Sequence, residues 1–301
     1  MWNLRFAPPD VIEARVLTVL PASLRHVGRS AWSDANKPGQ RVDSFLEGPV
    51  FDSAGNLYVT DIPAGRILRI TAQLEWQVVA AYDGWPNGMA MHADGSLWIA
   101  DYRRGILKLD PARGSVEPVL GHRNSESFKG VNDLVFDAKG NLYFTDQGQT
   151  GLHDPTGRVY RLGHEGRLDL LLANAPSPNG IALDRTGTVL FVAVTRANQI
   201  WRAPLMADGS IAKAGAFQTF FGTSGPDGLA ATAQGGLVVA HASLGVAFVL
   251  NAAGEVTHLV RSPTGQTVTN LAFRPGTSTL VMTEAATGSI LEADIPDAGV
   301  S

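Results

Sequence analysis

Six segments of this chain can be written one above another. They are EGPVFDSAGNLYVTD from residue 47, NGMAMHADGSLWIAD from 87, NDLVFDAKGNLYFTD from 132, NGIALDRTGTVLFVAV from 179, DGLAATAQGGLVVAH from 227 and NLAFRPGTSTLVMTE from 270. A unit recurring roughly every 45 residues implies an array of supersecondary units, because a single unit cannot bury its own apolar face. Within each unit an alternating strand runs into a turn such as DSAGN or DAKGN, and a second, more apolar strand follows (LYVT, LWIA, LYFT, LFVA, LVVA, LVMT). A third strand comes next (GRILRI, GILKL, GRVYRL, NQIWRA, VAFVL, GSILEA), and usually a fourth.

Four short antiparallel strands per repeat define a β-propeller blade. The predicted fold is all-β: one six-bladed propeller domain spanning residues 1–301, with blades starting near 47, 87, 132, 179, 227 and 270. The last unit runs out of chain before a fourth strand. The unassigned stretch EARVLTVLP (13–21) is strand-like and is expected to supply it, closing the ring. Residues 23–46 are too long for a tight connection and read as a lid.

Because the first strand of every blade lines the central channel, the six strand entrances meet at one mouth. They carry Glu47, Asn87, Asn132, Asn179, Asp227 and Asn270. The triplets PNG and PDG could be β-turns. That reading leaves Glu47 and Asn132 unexplained, since neither sits in such a triplet. Carboxylates in a channel mouth are costly unless they are paired or bound to a cation, and no Lys or Arg recurs at these positions. Carboxylate and amide oxygens are hard donors. They favour one divalent cation, calcium first, with magnesium or manganese next and zinc as the remaining alternative.

Asp52, Asp94, Asp137 and Asp184 open turns on the opposite face and read as turn formers. Asp61, Asp101 and Asp146 recur after the second strand and read as structural.

Composition narrows the class. A net charge of −4 with mixed signs gives no case for nucleic acid or an anionic membrane as partner. The absence of Cys removes thiolate metal sites, disulfides and a Cys nucleophile, and fits a cytoplasmic protein. No apolar run approaches the ~18 residues of a membrane span. The N-terminal MWNLRFAPPDVIEARVLTVL, with its Pro pair and two acids, does not read as a secretory signal. Oligomeric state is left open.

EGPVFDSAGNLYVTD, NDLVFD, SPNGIALD and GPDGLA, in this order in blades one, three, four and five, resemble the regucalcin/gluconolactonase family of sugar-lactone hydrolases. The resemblance spans about residues 45 to 290. It implies a six-bladed propeller holding one divalent cation in the channel, a small-molecule lactone substrate, Glu47, Asn179 and Asp227 as metal ligands, and Asn132 beside the metal, contacting substrate or completing the coordination. The cation would polarise the lactone carbonyl, and Asp227 would serve as general base for the attacking water. Asn87 and Asn270 are expected to act through hydrogen bonds rather than by touching the metal.

Two departures bear on the substrate. Regucalcin-type lactonases carry an Arg two residues before the third-blade Asn, where this chain has Gly130 beside Lys129. Their third-blade loop also offers a Glu, absent from TDQGQTGLHDPTG. The expected mouth contains aromatics instead: Trp85 and Phe128, which with Lys129 are the substrate-contact candidates, and Trp32 in the lid. Gln147, His153, Arg196 and His241 fall on loops of the same face. Two rival functions stay open: hydrolysis of another activated ester or an organophosphate at the same site, and a propeller that binds a ligand without turnover.

Overall fold

A computed structural model describes residues 8–26 and 28–300. The first seven residues, part of the stretch read as lacking a secretory signal, lie outside the described residues.

Each of the first five repeats folds into four antiparallel strands lying side by side in chain order, and the sixth supplies three. Blade one comprises Leu46–Phe51, Leu57–Asp61, Arg66–Ile70 and Trp76–Ala81. The inner strands of the other blades are Pro86–Met91, Val131–Phe136, Pro178–Leu183, Pro226–Ala231 and Val268–Phe273. Each lies against the inner strand of the next blade, and Val268–Phe273 lies against Leu46–Phe51, which closes a six-bladed ring.

The core is divided among six apolar clusters, one at each blade-to-blade interface. Tyr58 and Ile67 of blade one pack with Met89, Leu97 and Ile99 of blade two. Val281 and Ile290 of blade six pack with Leu46, Phe51 and Leu57 of blade one. This sandwiching explains why the second strand reads as the most apolar. It faces neighbours on both sides, and Leu57–Asp61, Leu142–Asp146 and Leu237–His241 are buried along their whole length. Each Leu, Ile, Val or Phe so buried contributes about 1.5–3 kcal/mol.

Closure follows the expected route with one addition. Arg15–Val19 pairs antiparallel with Ser289–Asp294 as the outer strand of blade six, and Arg15 Nε bonds Glu292 Oε1 at 3.0 Å. Just before it, Asp10–Glu13 pairs in parallel with Val256–Arg261 of blade five. The N-terminal segment thus stitches two blades, stepping between them at buried Ala14.

Residues 23–46 include a short helix, Ala31–Asn36, whose N-cap Ser30 and Ser33 form a reciprocal capping box. Trp32 is buried with its ring 4.7 Å from Phe45, immediately before the first inner strand. Among the described residues no helix is long and apolar enough to cross a membrane.

Candidate active site in the propeller channel

The PNG and PDG triplets are not turns. Asn87, Asn179 and Asp227 lie inside inner strands. What sets these positions apart is a β-bulge shared by all six blades. Between Glu47 and Val50 the inner strand spends three residues where its partner spends two, from Thr60 to Tyr58. The same extra residue occurs between Val131 and Leu134, Pro178 and Ile181, and Pro226 and Leu229. A bulge bends the strand and re-aims its side chains, here at the channel mouth.

The glycine after the ring residue allows the crowding. A Cβ at Gly180 would lie 2.1 Å from the carbonyl oxygen of Asp227, and one at Gly228 would lie 2.1 Å from Asn270 Oδ1. Threonines in or just after the second strands pin the ring across blades. Thr60 Oγ1 donates to the Asn87 carbonyl at 2.9 Å, Thr145 Oγ1 to that of Asn179 at 2.8 Å, and Thr195 Oγ1 to that of Pro226 at 2.8 Å.

Three buried carboxylates result: Glu47, Asp133 and Asp227. Glu47 Oε2 accepts from Gly48 N at 2.8 Å and from Asn270 Nδ2 at 2.9 Å. Burial pushes the Glu47 carboxyl up to about 7 despite these bonds. Asp133 is pushed up to about 8 by burial and by the charge of Glu47. Asp227 stands well above the ordinary carboxylate range. Burial is the main cause, followed by the charges of Glu47 and Asp133, while a hydrogen bond from Asn179 and the positive charge of Arg196 act the other way. Among the described residues none of the three forms an ion pair with Lys, Arg or His.

Glu47, Asn179 and Asp227, from blades one, four and five, therefore share one buried environment. Asn132 joins them: its Nδ2 donates to Gln147 Oε1 at 2.9 Å, and Gln147 Nε2 donates in turn to Ser177 Oγ at 2.9 Å. This relay holds Asn132 Oδ1 buried and without a partner.

Blade six departs from the expected register. Asn270 does not occupy the ring position; Thr269 does, donating to the carbonyl of Leu46 at 2.9 Å. Asn270 falls where the other blades place Gly48, Gly88, Gly180 and Gly228. NLAF lacks the residue that separates the polar position from the first apolar one in NGI and DGL, so its Asn only resembles a ring residue. Asn270 still reaches the site, through Glu47. Asp133 shares its level, and each bonds the next backbone N–H, Asp133 Oδ1 accepting from Leu134 N at 2.9 Å and Asn270 Oδ1 from Leu271 N at 2.8 Å. Sequence reasoning missed Asp133, although NDL carries a carboxylate where NGM, NGI and DGL carry glycine.

The remaining candidates divide. Asn87 is half-buried, and its backbone carbonyl is held by Thr60. Phe128 packs edge-on against Phe144 and Tyr160, each 5.4 Å away, which makes it part of the blade-three core. Trp85 lies 5.7 Å from the Tyr102 ring, with the Arg103 guanidinium over it. Lys129 Nζ donates to Thr156 Oγ1 at 2.6 Å. His153 is exposed. His241 is fully buried near Phe220 and Phe248, and burial lowers its imidazole to about 4.

Asp61, Asp101 and Asp146 are latches. Asp61 Oδ1 accepts from Phe45 N at 3.0 Å, Asp146 Oδ1 from Gly130 N at 2.8 Å, and Asp101 Oδ1 from the N–H groups of Arg103 and Arg104 at 2.9 Å. Glu284 does the same in blade six, accepting from Thr267 N at 2.9 Å.

Below the ring a cavity of about 860 Å³ opens on the opposite face, between the turns at Asp137, Asp184 and Arg274, and reaches up to Gly48, Asp133 and Asn270. The acidic level thus forms its ceiling.

The donor set fits a hard divalent cation. Two carboxylates, Glu47 and Asp227, would balance its charge, and the partnerless Asn132 Oδ1 offers an oriented carbonyl. Among the described residues no three His, Cys, Asp or Glu side chains converge as a metal cluster, so amide oxygens would have to complete the shell.

Fold and site together define a six-bladed propeller with a buried, oxygen-rich cluster where its inner strands begin. Residues 45–286 match the family described as SMP-30/Gluconolactonase/LRE-like region, and the chain belongs to that family. It is 30% identical over 261 residues to a gluconolactonase of Zymomonas mobilis, covering 76% of this chain and 73% of that protein. It is 28% identical over 284 residues to the lactonase drp35 of Staphylococcus aureus, covering 87% and 83%. The solved structure of regucalcin from Agrobacterium tumefaciens, described as a calcium-binding protein, superposes with a TM-score of 0.74 at 21% identity, covering 98% and 97%; at that identity the likeness concerns the fold.

Proposed function

We propose that this chain is a divalent-cation-dependent hydrolase that opens a lactone ring. The observation that carries the reading is the buried trio Glu47, Asp133 and Asp227, which lacks basic partners and lies beside the oriented amide of Asn132. So many unpaired carboxylates are too costly for a surface that only docks a partner. Membership of a family with named lactonases supplies the reaction class.

Glu47, Asn179 and Asp227 would hold the cation, with Asn132 beside it. When bound, the cation supplies Lewis-acid polarisation of the lactone carbonyl. Asp227 takes a proton from the attacking water as the water oxygen bonds the carbonyl carbon. The ring C–O bond then breaks, and its oxygen leaves as a hydroxyl, having gained a proton. Water is thus added across the bond, giving a hydroxy acid. Asn270 keeps Glu47 oriented by donating to Oε2. Gln147 engages the Asn132 NH₂, which leaves its carbonyl oxygen free to ligate the cation or accept from substrate. Contact with the cation would keep Asp227 ionised and ready to accept the proton, and would also limit its strength as a base.

The test is a pH-indicator assay over γ- and δ-lactones with the protein stripped by chelator and then reloaded with calcium, magnesium, manganese or zinc. Acid release that vanishes on stripping and returns with a cation is expected. Equal rates in the stripped protein would remove the cation from the reading, and inertness toward every lactone in every cation would remove the reaction.

A further inference from the structure

Resting on the lactonase reading, the mouth also bears on which lactones enter. Its two sides differ in kind. On the blade-two and blade-three side the wall is aromatic, built from Trp85 and Tyr102. Gly130, the residue two before Asn132, has no room for a side chain, since a Cβ there would lie 2.5 Å from the Tyr102 ring. The Tyr102 hydroxyl is engaged by Gln149 Nε2 at 2.9 Å. No charge enters the pocket from Gly130.

The blade-four side carries Arg196, on the short 3-10 turn Thr195–Ala197. Its neighbour Thr195 is bonded to the carbonyl of Pro226, the residue before Asp227, so the turn is fixed to the backbone of the proposed base. The Arg196 guanidinium has one long bond, 3.5 Å from Nη1 to the carbonyl of Thr223, and no ion pair among the described residues. Cations at the corresponding loops of other blades are engaged: Arg103 with Asp83 at 2.8 Å, Arg66 with Asp61 at 2.7 Å, and Lys129 with Thr156. Arg196 is exposed. Exposed Phe221 (70%) belongs to the same loop as its hydrogen-bond partner, Thr223.

We propose that Arg196 is a specificity-determining residue that receives a carboxylate carried on the lactone ring, so that the preferred substrates are anionic lactones rather than neutral, hydroxyl-rich ones. A guanidinium presents a planar fork of donors matched to a carboxylate. One that is exposed but unpaired loses little hydration before the ligand arrives. The ring itself would lie against the Trp85–Tyr102 side, with its reacting carbonyl toward Asp227 and Asn132.

The experiment compares α-hydroxyglutarate γ-lactone, which bears a carboxylate, with neutral γ-valerolactone, in the cation-loaded wild type and in Arg196→Gln and Arg196→Lys. The wild type is expected to favour the anionic lactone. Arg196→Gln should cut the anionic-to-neutral ratio of kcat/KM about tenfold through KM, with Lys restoring part of it. Higher salt should narrow the wild-type preference. A wild type indifferent to charge, or a Gln variant that loses both substrates equally, would overturn the assignment. Calorimetric binding of pyroglutamate against pyrrolidinone, lactams that resist ring opening, separates the two claims. Pyroglutamate-selective binding lost in Arg196→Gln upholds Arg196 even if no lactone turns over, in which case the lactonase reading is what fails. Absence of that selectivity sinks Arg196 alone.

Discussion

Carboxylates gather at both ends of this propeller, and the two ends treat them in opposite ways. At the far-face turns each acid is supplied with donors. Asp137 Oδ1 accepts from Lys139 N at 2.8 Å and Asn141 N at 2.9 Å, and Asp52 repeats the pattern with Ala54 and Asn56. Hydrogen bonds from the Ser96 hydroxyl and N–H hold Asp94 below the ordinary carboxylate range; Asp184 is lowered too, bonds from Thr186, Val189 and Thr188 outweighing its desolvation. At the mouth, Glu47, Asp133 and Asp227 are buried together and raised. A carboxylate surrounded by backbone N–H groups is a structural part. One that is buried, crowded and short of donors has its charge in reserve for a ligand or a proton.

The sharpest way to break this contrast is Asp227→Asn. If Asp227 is the base, kcat for a lactone should fall about a thousandfold. The melting temperature should hold or rise, because a carboxylate penalised by burial is replaced by a neutral amide of the same shape. Steady-state kinetics beside a thermal melt reads both. A variant that melts early and keeps its turnover would make Asp227 a turn-type structural acid and erase the difference between the two ends.

A second test uses pH. Glu47 and Asp133 are raised in the fold, to about 7 and about 8, above ordinary carboxylate values near ~4. The folded state therefore holds these protons more tightly than the unfolded chain does. Their favourable contribution is complete below the unfolded value and is lost as pH climbs through the folded ones. In chelator-treated protein the melting temperature should decline from about pH 5 to about pH 8.5, tracking those shifts. A bound cation takes over the protons' role, so calcium should flatten the decline and raise the melt more at pH 8 than at pH 5. Parallel curves with and without cation would mean that the acidic level and the cation site are independent.

The architecture was legible because the repeat imposes the same apolar alternation six times, and even the closing strand announced itself as VLTVL with no other place to go. The ring was legible in five blades for the same reason. It failed in the sixth, where NLAF looks like a ring residue but Thr269 holds that place. Asp133 escaped because its neighbour Asn132 already filled the expected role, and nothing in a strand pattern marks which of two adjacent residues a bulge turns inward. Phe128 was misplaced for a related reason: an aromatic before an inner strand can face the mouth or the core, and only the packing on Phe144 and Tyr160 decides. The parallel pairing of Asp10–Glu13 with blade five carried no sequence signal beyond four strand-compatible residues.

The smallest effect belongs to the far face, and it sharpens the comparison from the other side. Asp137 accepts two backbone N–H groups and, through Oδ2, Asn141 Nδ2 at 2.7 Å, all within one exposed turn. Asp137→Ala removes these acceptors and leaves the donors to water, which reaches them. The expected cost is about 1–2 kcal/mol of stability, a fall of a few degrees in melting temperature. The turn borders the lower cavity but lies below the acidic level, so kcat should stay within about twofold of wild type, with the same cation dependence. A drop in kcat as large as that of Asp227→Asn would mean that the two ends of the channel are coupled through the inner strand Val131–Phe136, which carries Asn132 and Asp133 and leads directly into this turn.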